Sequence, residues 1–203
     1  MSDNIKEELE KAQKVVVDMA KVKRNHFLLE SDKRENVIEH SFSIVMLCWR
    51  IFEIARPPLE IEKIFKYSLV HDFLERGIEK DTNTYAQKEE REKKKQREQE
   101  ELKKLSQEFE TFPDLITTIQ RYEQRADEEA VFVWSVDKMQ AIVLGELDEW
   151  RPYREYGVTY EEFCNKIEGF LSESSVYTKE IFKEVFSKAR ETYYDNPNVK
   201  GGK

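Results

Sequence analysis

Apolar residues recur at helical spacing along almost the whole of this chain, and little interrupts them. Ile5, Leu9, Ala12, Val16 and Met19 make one stripe over roughly 3–23. After a break around Asn25 to Asp32, Val37, Ile44, Val45, Cys48, Ile51, Phe52 and Ala55 make a second over 34–56. Pro57-Pro58 ends it, because the residue before a proline avoids the helical region. A third segment, 59–76, carries Ile61, Ile64 and Phe65, with Gly77 placed to stop it. Glycine and proline together number only eleven in 203 residues, too few for the turns of a sandwich or barrel.

Residues 78–86 read as a loop, and the mixed-sign run 88–104 reads as a solvated, projecting helix. Acids nearly balance bases in that run, so it does not resemble a nucleic-acid-binding arm. Further helices are expected over 113–125, with Pro113 in the first turn, and over 129–150, with Val131, Trp134, Asp137, Ala141 and Leu144 on one face. Thr159 is placed as an N-cap, with Glu162 three residues on in a capping box, for a helix to about 172. A last helix is expected over 175–194. The tail from Asn196 to Lys203 reads as disordered. The pattern predicts an all-α, strand-free single domain over 1–195.

Composition narrows the function classes. A net charge of −8 gives the surface as a whole no attraction for nucleic acid. No run of about 18 apolar residues exists, so no membrane span is expected. Met1-Ser2-Asp3-Asn4 carries no basic-then-apolar signal segment. Cys48 and Cys164 fall in amphipathic stretches and read as core residues of a reducing, cytoplasmic compartment.

Chemistry is concentrated around the histidines, of which there are three: His26, His40 and His71. His71-Asp72 stands inside the otherwise apolar Tyr67-Ser68-Leu69-Val70-His71-Asp72-Phe73-Leu74-Glu75. Burying adjacent ionisable groups is costly unless they are paired or bind a metal. Glu75 follows at helical spacing and shares their face. His40 lies on the inward stripe with Val37 and Ile44, near Glu35 and Glu39, and Asp137 lies on the stripe of the 129–150 segment. Taken singly, an inward histidine is more often a satisfied core residue, and an inward aspartate a cap or ion-pair partner. Together, His40, His71, Asp72 and Asp137 make a mixed nitrogen and oxygen set suited to Mn²⁺, Fe²⁺, Co²⁺, Ni²⁺ or Zn²⁺.

The order His40, His71-Asp72, Asp137 on successive helices resembles the H…HD…D motif of the HD-domain metal-dependent phosphohydrolase superfamily. Glu35-Asn36-Val37-Ile38-Glu39-His40-Ser41, Leu69-Val70-His71-Asp72-Phe73-Leu74-Glu75, Asp81-Thr82 and Asp137-Lys138-Met139-Gln140-Ala141 resemble the segments of its small 5′-deoxynucleotidase-like branch. The resemblance spans roughly 20–150. It implies a helical HD-domain bundle in which His40, His71, Asp72 and Asp137 hold one divalent cation (Mn, Co, Zn, Fe, Ni or Mg). It further implies Glu75 and Asp81 as catalytic acids or bases, Arg24 as a phosphate grip with Lys138 as a lesser contact, a small nucleotide as substrate, and a homodimer. Trp150, Tyr153, Tyr156, Tyr193 and Tyr194 read as exposed aromatics compatible with such a dimer.

The chain departs from the branch in three places. Glu75 and Asp81 are one residue further apart than usual, with Lys80 where a glycine often precedes the aspartate. Asn25, His26 and Phe27 stand where some members carry a tryptophan. The spacing from Arg24 to His40 is slightly longer. All three fall in the substrate pocket rather than on the metal ligands. With His26 alone left over, a second histidine-rich metal centre is not expected. The leading expectation is phosphate release from (deoxy)nucleoside 5′-monophosphates. A deoxynucleoside triphosphohydrolase, using Lys80, Lys138 and Arg76 for the extra charge, is the alternative; an alarmone hydrolase, a non-catalytic metal or nucleotide binder, and an interaction protein using the 88–104 helix stand behind it.

Overall fold

The computed structural model describes residues 2–76 and 88–197. Helix α1 (Ser2–Met19) leads into a small antiparallel pair, β1 (Lys23–Phe27) and β2 (Arg34–Asn36). Then come α2 (Val37–Ala55), α3 (Ile61–Val70) and a 3-10 turn (Phe73–Glu75). After residue 87 the helices are α4 (Lys88–Glu108), α5 (Pro113–Glu123), α6 (Glu128–Leu147), α7 (Arg151–Glu155), α8 (Tyr160–Glu173) and α9 (Lys179–Thr192). The expected all-α domain is therefore correct in class, but it is not strand-free. Both strands are short and polar, so hydrophobic periodicity carries no trace of them. The proposed stop at Gly77 and the loop 78–86 lie outside the described residues.

Local chemistry sets several boundaries. Asn36 caps α2: its side-chain oxygen accepts from the amides of Ile38 and Glu39 at 2.9 and 3.0 Å, while Glu39 accepts from the Asn36 amide at 2.8 Å. Glu39, read as a neighbour of His40, is thus a capping residue facing solvent. Arg56 closes α2 in the left-handed region, at φ 43°. The box of Thr159 and Glu162 at the start of α8 forms as expected.

Helix α6 is the hub. It packs against α2, α3, α8 and α9, and most of its residues from Glu129 to Gln140 are buried around the whole circumference rather than along one face. The larger core gathers Ile44, Cys48, Ile64, Phe132, Val136, Ile142, Phe163, Phe182 and Tyr193. Trp150 and Tyr153 also belong to it, with Trp150 2% exposed, so the aromatics read as exposed are largely core instead. The short α7, which the sequence pattern gave no reason to expect, carries Tyr153 into that cluster. A second cluster holds Val15, Met19, Val22, Val37, Val70, Leu74, Leu105, Phe109 and Ile119. Apolar surface remains exposed instead on α2 and α3, at Phe42, Met46, Trp49 and Leu69.

Both cysteines are free thiols, and burial pushes Cys48 up to about 12, as a core thiol should be. Asn196, expected in a disordered tail, is buried, and its side chain donates to the Arg190 carbonyl at 2.6 Å; residues 198–203 lie outside the described residues. Among the described residues, no helix is long and apolar enough to cross a membrane.

Candidate metal centre

The two clusters meet where the histidines stand. His40 lies one turn into α2, between Val37 of the smaller cluster and Ile44 of the larger. His71 caps the C-terminal end of α3, directly after buried Val70. Both imidazoles are buried, with ring centroids 5.0 Å apart. Asp72 follows as the residue that breaks the helix into the 3-10 turn, and Asp137 comes from the middle of α6.

One donor atom each from His40, His71 and Asp72 lies within 4.8 Å of the others. His40 Nε2 is 3.1 Å from Asp137 Oδ1 and 3.6 Å from Asp72 Oδ2, and His71 Nε2 is 3.3 Å from Asp72 Oδ2. Donors about 2.1 Å from a shared ion, at right to tetrahedral angles, stand roughly 3.0–3.4 Å apart. The spacing therefore suits a small divalent ion. Asp137 reaches the group through His40 and falls outside the mutual distance that unites the other three.

Protons make the same point. His71 Nδ1 lies 2.8 Å from the Ser68 carbonyl, which only accepts, so Nδ1 carries the hydrogen. Nε2 is then a lone pair, buried without a hydrogen-bond partner and facing the Asp72 carboxylate. Two electron-rich groups in that position call for a proton or a metal cation between them. Burial works against protonating His71, yet Asp72 and Asp137 outweigh it and raise its pKa. Burial likewise opposes ionisation of Asp72, but Arg24 and His71 hold it far below the usual carboxylate range. Lys138 and His40 do the same for Asp137. The residues present thus fit a divalent metal: two carboxylates held ionised and an imidazole nitrogen turned toward one of them.

Around this centre stands a ring of charge. Arg24, on β1, bonds Asp72 through Nη1, which also lies 3.7 Å from Glu75 Oε2. Its Nε is 3.9 Å from Glu35 Oε2. Lys138 reaches its neighbour Asp137. Glu75, in the 3-10 turn, is only 4% exposed and receives Lys94 from α4. Arg24, Glu75 and Lys138 are thus brought to the cluster, while Asp81 lies outside the described residues.

Two participants escaped the sequence reading. Glu35, on β2, is 4% exposed and sits 3.5 Å behind His40 Nδ1. In the sequence it is simply an acid near His40; the capping pattern beginning at Asn36 is the signal that it lies before the helix and can turn inward. Lys94 stands within a run that reads as solvated, although Lys94, Glu98, Glu101, Leu105 and Phe109 follow one another at helical spacing. That helix does not project: it packs on the 3-10 turn and α5. Arg76, considered as extra charge for a triphosphate, is instead engaged by Glu108 at 2.7 Å and Glu101 at 3.4 Å. The leftover His26 is packed edge-on against Tyr153, and burial, with Arg24 nearby, lowers its pKa to about 4.

Comparison with known proteins bears on the family and the fold. A family model described as the HD domain matches residues 18–178. The fold is similar to the crystal structure of a "predicted metal-dependent phosphohydrolase" from Magnetospirillum magnetotacticum MS-1, with a TM-score of 0.75 and 21% identity over 93% of this chain and 96% of that one. A search of the curated proteins finds no match.

Proposed function

The chain belongs to the HD-domain family, and from that premise we propose that it is a metal-dependent phosphohydrolase releasing phosphate from (deoxy)nucleoside 5′-monophosphates. The observation that carries the reading is the trio of buried His40 and His71 with half-buried Asp72, the His71 Nε2 lone pair turned toward Asp72. His40, His71, Asp72 and Asp137 hold one divalent ion in this reading. Bound there, the ion supplies Lewis acidity, lowering the pKa of a water and offsetting charge on phosphate oxygens.

The chain's own groups do the rest. Glu75 accepts a proton at its carboxylate from the attacking water, or returns one to the departing oxygen; burial keeps it from bulk solvent. Arg24, whose fork matches phosphate oxygens in pairs, turns part of its donor set from Asp72 and Glu75 toward the substrate. Lys138 adds a second positive group at the Asp137 side. Asp81 is retained as a second acid or base on the strength of the resemblance. What favours a monophosphate over a triphosphate is Arg76, whose Nε and Nη2 are paired with Glu101 and Glu108 and so are not available to a longer phosphate chain.

The test is phosphate release from a panel of ribo- and deoxynucleotides with Mn²⁺, Co²⁺ or Zn²⁺. Orthophosphate from monophosphates is the expected product. Tripolyphosphate from a deoxynucleoside triphosphate would replace the monophosphate reading with the triphosphohydrolase one. No product from any nucleotide by metal-loaded protein would refute both.

A further inference from the structure

Helix α4 is charged on nearly every side, yet one stripe of it is not solvated. Over 92–100 every residue is exposed except Lys94 and Glu98, which are four apart. The same face continues through Glu101, Leu105 and Phe109, and the last two are buried with Val70 and Leu74 in the smaller core cluster. The C-terminal half of α4 is therefore anchored by apolar contact and by the pairs from Arg76 to Glu101 and Glu108. Its N-terminal half carries charge to the rim of the metal centre. Lys94 contacts Glu75 there, and a second carboxylate, Glu98, lies 3.7 Å away.

We propose that Lys94 binds the phosphate group of the substrate, so that α4 forms one wall of the substrate pocket with Arg24 of β1 on the other side of Glu75. The proposal rests on the phosphohydrolase reading above. Holding α4 in place does not require this lysine, because Leu105, Phe109 and the Arg76 pairs already do so. Charge points the same way. Among the described residues, Glu35, Asp72, Glu75, Glu98 and Asp137 are five carboxylates gathered with three cations, Arg24, Lys94 and Lys138. The carboxylates thus outnumber the cations by two, and a divalent ion cancels that excess. Such a site repels anions without metal and ceases to repel them with it. Lys94 is suited to respond. Its ammonium is a point charge on a flexible stem, and the side chain is 29% exposed, so it can swing from Glu75 to a phosphate oxygen while α4 stays fixed.

The probe is inorganic phosphate, titrated into metal-loaded full-length protein by calorimetry and used as a competitive inhibitor of hydrolysis. Lys94→Met is expected to weaken phosphate binding by about tenfold or more and to raise KM more than it lowers kcat. Metal affinity and melting temperature should stay at the wild-type values, and Lys94→Arg should recover most of the binding. Lys94→Gln provides a second neutral variant if the methionine form folds poorly. Phosphate affinity within twofold of wild type in a folded neutral variant, or loss only in step with lost metal, overturns the proposal while leaving the hydrolase reading intact. Wild-type protein that takes up metal but neither binds phosphate nor hydrolyses nucleotides overturns both.

Discussion

Glu35→Gln tests how the centre is held from behind. Glu35 Oε2 is 3.5 Å from His40 Nδ1, the ring nitrogen turned away from Asp72 and Asp137. A histidine that gives one nitrogen to a cation gains basicity when its other N–H meets a carboxylate. Two unit charges 3.5 Å apart interact by about 5 kcal/mol at an effective dielectric of 20, and an imidazole bearing roughly a third to a half of a charge gains about 1.5–2.5 kcal/mol. That corresponds to a factor of about ten to sixty in affinity, and it falls within the usual ten- to hundredfold cost of losing such a partner. The amide keeps the shape of the carboxylate, so the fold should persist. The assay is calorimetric titration of metal-free protein with Mn²⁺ or Zn²⁺, with circular dichroism as a check on folding. A folded Glu35→Gln protein that binds metal within twofold of wild type would refute the assignment of Glu35 as the group that positions His40.

Other consequences follow from the packing and the charges. His26 has a pKa of about 4 in the fold because of burial and Arg24, against about 6.5 when unfolded. The unfolded chain therefore binds the extra proton first, and stability should fall as pH drops from about 6.5 to 4, by roughly 3 kcal/mol in all; His26→Gln should flatten that part of a denaturant-midpoint profile, and an unchanged profile would contradict the burial argument. Gly145 faces the aromatic core, where an added Cβ would come 2.7 Å from Tyr153 Cε2 and 3.2 Å from Trp150. Gly145→Ala should cost about 1–3 kcal/mol in urea unfolding, since both rings are buried in the larger core cluster. Asn36→Ala removes the cap on α2 and should cost about 1 kcal/mol. It should also loosen metal binding, because His40 stands in the first turns of that helix; equal stability and equal affinity would show the cap to be idle.

Much of this was legible in the sequence because it depends on local rules. Helix α2 shows its stop at Pro57, α8 shows its cap at Thr159, and α5 shows Pro113 at its first turn. The grouping of His40, His71, Asp72 and Asp137 was also legible, since ionisable residues on apolar stripes must meet something inside. What the pattern could not show depends on long-range contact. Strands β1 and β2 are too short and polar to leave a period, yet they turn Arg24 and Glu35 toward the centre. Trp150 and Tyr193 look like surface aromatics until α7 and α9 fold against α6. Helix α4 is so uniformly charged that its inward face is marked by Leu102 and Leu105, with Phe109 just beyond, at the far end from Lys94.

The central claim is that one divalent ion is held at the junction of α2, α3 and α6. Its most direct test is metal stoichiometry by elemental analysis after metal loading and desalting, on wild-type protein and on His71→Ala. The account predicts close to one divalent ion per chain in the wild type, and none, with no phosphate release, in a folded His71→Ala protein. Wild-type protein without bound metal, or a variant that keeps both its metal and its hydrolysis, would contradict it.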